Sequence, residues 1–93
     1  MRHLLVSSAD DGLVEGLRTF LAPDAVLFSA HGVDDTLERL ARSARVDAVV
    51  TDDPEVEAAI REEVPGNLPI VVVPEGAATE DAVRLVEEAL AGH

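Results

Sequence analysis

The chain predicts an α/β fold on a parallel sheet, and three observations lead there. Four short apolar stretches rich in β-branched residues read as strands: His3-Leu4-Leu5-Val6, Ala25-Val26-Leu27-Phe28, Asp47-Ala48-Val49-Val50 and Ile70-Val71-Val72-Val73. Each runs into a helix-period segment, beginning near Leu13, Asp34, Pro54 and Thr79. The runs Leu4-Leu5-Val6 and Val49-Val50 lack polar alternation, as strands covered on both faces do. Parallel neighbours need a crossover of about a dozen residues or more, which each intervening helix supplies.

The first helix is expected to start at Asp11 or Gly12, with Asp10 or Asp11 as an acidic cap and Glu15 in the first turn. Leu13, Leu17, Phe20 and Leu21 form its apolar stripe, and Pro23-Asp24 ends it. Gly32 closes the second strand. Asp34 or Asp35 then caps a helix with Leu37, Leu40, Ala41 and Ala44 inward. Pro54 suits the first turn of the third helix, whose inward residues are Val56, Ala59, Ile60 and Val64, and Pro65-Gly66-Asn67 stops it. Thr79 reads as the cap of the last helix. Its apolar residues Ala82, Val83, Leu85, Val86, Ala89 and Leu90 span an arc of about 160°, wider than the roughly 100° stripe of an ordinary surface helix.

At 93 residues the chain has room for one domain, residues 1–93. With no cysteine, disulfides and thiolate metal sites are excluded. Met1-Arg2-His3 enters a strand at once, so no signal peptide is expected, no apolar run reaches membrane-spanning length, and the expected location is cytoplasmic. Nineteen acidic residues face seven basic ones, all arginine, for a net charge of −12. That charge repels phosphate backbones and anionic lipid, which argues against nucleic-acid or membrane partners. The acid-rich, lysine-free composition resembles proteins of extremely halophilic archaea, although a GC-rich codon bias would also exchange lysine for arginine.

In parallel sheets, ligands and reactive groups gather at the strand carboxyl ends. Here those ends read Ser7-Ser8-Ala9-Asp10-Asp11, Ser29-Ala30-His31-Gly32, Thr51-Asp52-Asp53-Pro54 and Pro74-Glu75-Gly76. Asp10, Asp11, Asp52 and Asp53 are candidate oxygen ligands for Mg²⁺. The competing reading makes them helix caps, with Asp53 before Pro54 and Asp10 or Asp11 before the first helix. His31 reads as a polar turn residue, and His3 and His93 as inert. Neither a G-x-G-x-x-G nor a G-K-[ST] element is present, and no base accompanies Ser7 or Ser8. Arg39, Arg42 and Arg45 form a weak basic stripe on the second helix, expected to pair with Asp35 and Glu38.

Several strings resemble the receiver domain of two-component response regulators, a flavodoxin-like fold. Leu17-Arg18-Thr19-Phe20-Leu21 resembles the end of the first receiver helix, and Ala30-His31-Gly32 the turn after the second strand. Asp47-Ala48-Val49-Val50-Thr51-Asp52 is similar to the strand that delivers the phosphoacceptor, and Pro69-Ile70-Val71-Val72-Val73 to the fourth strand. The resemblance implies a three-layer α/β/α domain with a four-stranded sheet in the order 2-1-3-4, lacking the fifth βα unit.

It also implies a degenerate site. Asp52 falls on the phosphoacceptor position. The metal-holding pair falls on Ser7 and Ser8 or on Ala9 and Asp10, the hydroxyl position holds Pro74, and the lysine has no counterpart. Two-component chemistry needs that cationic clamp. The expectation is therefore a non-catalytic interaction or assembly module of a signal-transduction protein, not an enzyme, and a candidate amino-terminal piece of a longer sensor or regulator. The alternatives are a Mg²⁺-dependent phosphoacceptor at Asp52 and a small α/β protein binding a ligand at the strand carboxyl ends. Without a fifth unit, Ile70, Val71, Val72 and Val73 form a sheet edge, and with Val83, Leu85 and Leu90 of the last helix they are the expected homodimer interface.

Overall fold

The computed structural model describes residues 2–21, 25–42, 46–64, 68–74 and 76–91. Four strands and four helices alternate: β1 (Arg2–Ser7), α1 (Asp11–Leu21), β2 (Ala25–Ala30), α2 (Gly32–Arg42), β3 (Ala48–Thr51), α3 (Pro54–Glu63), β4 (Ile70–Val72) and α4 (Thr79–Ala91). The sheet is wholly parallel in the order β2-β1-β3-β4, as the sequence predicts. Leu5 sits opposite both Phe28 and Val49, and Val50 opposite Val71. The turns expected at Pro23-Asp24 and Pro65-Gly66-Asn67 lie outside the described residues, as do Ala44, Arg45, Glu75 and His93.

The central strands are buried on both faces. Leu4, Leu5, Val6, Ala48, Val49 and Val50 have no exposed surface. Successive strand residues point to opposite faces, so these runs feed two cores. Leu4, Val6, Ala48, Val50, Val71 and Val73 pack with Leu13, Val14 and Leu17 of α1 and Ala82, Val83 and Val86 of α4. Leu5, Ala30 and Val49 pack on the other face with Val56 and Ile60 of α3, and Val33, Leu37 and Leu40 of α2 close around them. The topology explains the split. β1 to β2 steps one way across the sheet, β2 to β3 to β4 steps the other, and crossovers of one hand then place α1 opposite α2 and α3.

Several local expectations are corrected. Phe20 is 58 % exposed, because Leu13, Val14, Leu17 and Leu21 occupy the core side of α1. On α2 the fully buried residue is Thr36, while Ala41 is exposed. The helix also begins at Gly32, earlier than an Asp34 or Asp35 cap would allow, because Asp35 reaches back to accept the His31 N–H at 2.9 Å. Gly32 has φ +83°, a left-handed turn that glycine adopts without penalty. Ala78, not Thr79, holds the cap position of α4: its carbonyl accepts from Asp81 and Ala82 N–H groups. Thr79 is the first helical residue, and its side chain lies against Gly16 of α1, so close that a Cβ on Gly16 would overlap it. Among the described residues no helix is long and apolar enough to cross a membrane.

Candidate functional site

The strand carboxyl ends carry three separate hydrogen-bonded groups of polar side chains. Ser8, just past β1 and almost fully buried, donates its hydroxyl to Asp52 Oδ2 at 2.9 Å. Ser8 Oγ in turn accepts the Asp10 N–H at 2.9 Å. One serine thus ties the end of β1, the start of α1 and the end of β3 together. Ser7 faces the other side, where its Oγ lies 2.7 Å from Thr36 Oγ1, and Thr36 donates to the Gly32 carbonyl at 2.6 Å. Both side chains are buried, and the chain of bonds satisfies both hydroxyls. Thr51, also buried, accepts the Asp53 N–H at 3.1 Å.

The candidate metal ligands divide along the same lines. Asp10 Oδ1 accepts the Gly12 N–H at 2.9 Å, and the Asp10 carbonyl accepts from Leu13 and Val14, so Asp10 caps α1. Asp53, in extended conformation before Pro54, accepts the Glu55 N–H at 2.9 Å and caps α3. Asp11 is an exposed first-turn residue of α1. Asp52 is half-buried and joined to Ser8. Among the described residues no group of three or more His, Cys, Asp or Glu side chains could hold a metal ion. A cap oxygen aimed at its own helix is turned away from a shared centre, which is why four nearby aspartates in sequence do not converge.

Electrostatics follow the helices. Arg18 pairs with Glu15, Arg39 with Asp35, Arg42 with Glu38, Arg61 with Glu57 and Arg84 with Asp81, each within one helix. Asp52 belongs to none of these pairs, and Pro74, just after β4, is exposed. The His31 N–H, with Arg39 adding to it, holds the Asp35 carboxyl below its usual range. His3 lies at the opposite end of β1. Its Nδ1 is buried without a hydrogen-bond partner, 3.9 Å from Asp47 Oδ2.

Two cavities stand apart from the Ser8–Asp52 bridge. A cavity of about 470 Å³ is lined by Leu37, Leu40, Ala41, Val46, Val64 and Leu68, with Glu63 beside them. Val46 and Leu68 precede β3 and β4, so this cavity is at the strand amino ends, opposite the place where a ligand was expected. A second, of about 390 Å³, lies between Phe28 and the charged side of α2. On the far flank, Val71, Val73 and Val83 of the expected dimer surface are already buried within the chain, and Ile70, Val72, Leu85 and Leu90 are half-buried. The sequence reading missed Thr36 altogether. The available signal was a hydroxyl at a helix position flanked by Val33, Leu37 and Leu40.

No protein-family model matches this chain, and no curated protein matches it. Among solved structures it is similar to a de novo designed Rossmann fold protein, with a TM-score of 0.61, 17 % sequence identity, and coverage of 95 % of this chain and 96 % of that one. Identity at that level carries the fold alone. The class is thereby fixed as a Rossmann-like α/β domain with four parallel strands and four helices, consistent with a flavodoxin-like arrangement.

Proposed function

We propose that the chain is a non-catalytic, receiver-like interaction and assembly module of a signal-transduction protein. The observation that carries this reading is the Ser8 bridge. The hydroxyl that links Asp10 N–H to Asp52 turns the rim into a strut between β1 and β3, with Asp10 and Asp53 oxygens engaged as caps on either side. Phosphoryl transfer to Asp52 would need positive charge at the transferring oxygens, and among the described residues the arginine ion pairs named above lie within the helices, none with Asp52. The net charge of −12 fits a salt-rich cytoplasm, where screening relieves self-repulsion.

The second reading is a Mg²⁺-dependent phosphoacceptor, favoured by the half-exposed placement of Asp52 immediately after β3. Incubation with acetyl phosphate and Mg²⁺, followed by intact-mass and peptide mass spectrometry, separates the two. The expected result is an unmodified chain. A stoichiometric phosphate on Asp52, absent in Asp52→Asn, would replace the first reading with the second.

A further inference from the structure

We infer that the β2 edge and the outer side of α2 form a self-complementary surface that binds a second copy of this chain. The inference deepens the assembly-module reading and rests on it. β2 is the six-residue edge strand of the sheet, and its described residues carry no charge and no proline. Such an edge presents a row of backbone groups without a strand neighbour and is a template for another strand. β4, at the other edge, is three residues long and stands between Pro69 and Pro74, which limits any ladder there.

Three features select a second copy as the occupant. First, this flank repels a like-charged body less than the β4–α4 flank does. Residues 25–42 carry three carboxylates and two guanidiniums, so they hold one of the twelve net negative charges. Second, α2 is polarised along its length, with Asp34 and Asp35 in its first turn and Arg39 and Arg42 in its last. A two-fold axis runs two such helices antiparallel and sets the basic half of each against the acidic half of the other. Third, the flank holds both a knob and a hole. Phe28 is 38 % exposed, with its ring stacked on His3 at 6.2 Å between centroids. Beside it opens the cavity of about 390 Å³ bounded by Asp35, Glu38, Arg39 and Arg42.

In this dimer β2 strands pair antiparallel, each Phe28 enters the other copy's cavity, and the intrahelical pairs Arg39–Asp35 and Arg42–Glu38 widen into networks across the axis. A standard interface takes about 800 Å² from each partner, roughly one seventh of the 5515 Å² surface of this chain.

The test is sedimentation equilibrium of the full chain over a wide concentration range in molar KCl, with thermal unfolding as the folding control. The wild type is expected to reach twice 9.8 kDa. Phe28→Lys should weaken association at least about tenfold, the effect of losing one central aromatic anchor. Arg39→Glu with Arg42→Glu should also weaken it, at exposed positions that leave the core alone. Mixing that variant with Asp35→Arg/Glu38→Arg should restore a heterodimer, while Val72→Lys on the β4 edge should change nothing. A wild type that remains a 9.8 kDa monomer throughout overturns the inference. So does a dimer lost to Val72→Lys and indifferent to folded Phe28→Lys. Either outcome leaves the phosphorylation result, which bears on the module reading, to stand separately.

Discussion

Replacing Gly16 by alanine sets two effects of known sign against each other. Gly16 is inside α1, where alanine is intrinsically better by about 1 kcal/mol. If propensity alone mattered, the substitution would stabilise the domain. The α1–α4 contact opposes it. A Cβ at this position would overlap Thr79 Cγ2 and lie 2.8 Å from Thr79 Oγ1 and 3.2 Å from Thr79 Cβ. Carbon atoms pack at about 3.5–4.0 Å, so the helices must part or Thr79 must turn. Turning brings little relief, since both γ atoms stand one bond from a Cβ that is itself close. Overpacking of this kind costs about 1–3 kcal/mol, which exceeds or matches the propensity gain. The expected net loss is about 1 kcal/mol, a fall in thermal midpoint of about 4–8 °C for a domain of this size. Thr79→Ala removes both γ atoms, so Gly16→Ala in that background should be neutral or stabilising. Urea unfolding followed by circular dichroism, on the four members of this double-mutant cycle, measures the coupling. A Gly16→Ala variant more stable than wild type with Thr79 intact would refute the close-contact argument.

Four further outcomes follow from the same structure. Thr36→Val strands the buried Ser7 hydroxyl and should cost about 1–3 kcal/mol in urea unfolding, whereas Thr36→Ser should cost less. Asp53→Ala removes the α3 cap and should cost about 1 kcal/mol, while Asp53→Asn, an equally good cap, should be nearly silent. The folded-state pKa of Asp35 is depressed, chiefly by the His31 N–H, so its contribution is present above the unfolded carboxylate pKa and is lost as pH falls through the folded value. The acid limb of stability in Asp35→Asn should therefore be shallower, which acid titration by circular dichroism will show. With nineteen acidic and seven basic residues, the thermal midpoint should climb as KCl is raised, since about 1 M salt shortens the Debye length to roughly 3 Å; a flat profile would favour codon bias over a halophilic origin.

The fold was legible because the pattern that encodes it is redundant. Four apolar runs, four helical periods and the unalternating Leu4-Leu5-Val6 and Val49-Val50 segments all specify a covered parallel sheet, and no single misreading disturbs it. Errors fell where two elements meet. Phe20 fits an inward stripe by spacing, but helix rotation is set by what α1 packs on, and its core side is taken by Val14. Thr79 is a good cap residue by type, yet Gly16 leaves a notch that its side chain fills, and Ala78 takes the cap position instead. The edge Ile70-Val71-Val72-Val73 was read correctly as the outer strand of the sheet, but how α4 covers one of its faces was not visible. Val71, Val73 and Val83 close on one another within the chain.

The rim was the least legible part, for a chemical reason. A carboxylate that caps a helix and one that binds Mg²⁺ are the same residue type at the same strand-to-helix junction, because both exploit an oxygen near backbone N–H groups or a cation. Only orientation separates them. Asp10 and Asp53 each direct an oxygen at an amide two residues on, and Ser8 stands between Asp10 and Asp52. A short domain with four helices beginning at one rim must satisfy amides at every helix start. Its caps therefore concentrate where a ligand site would otherwise be sought. With those groups engaged, the proposed assembly role falls to the flanks. Among them, the β2–α2 side combines a neutral strand edge, an exposed ring and a helix whose charge reverses along its length.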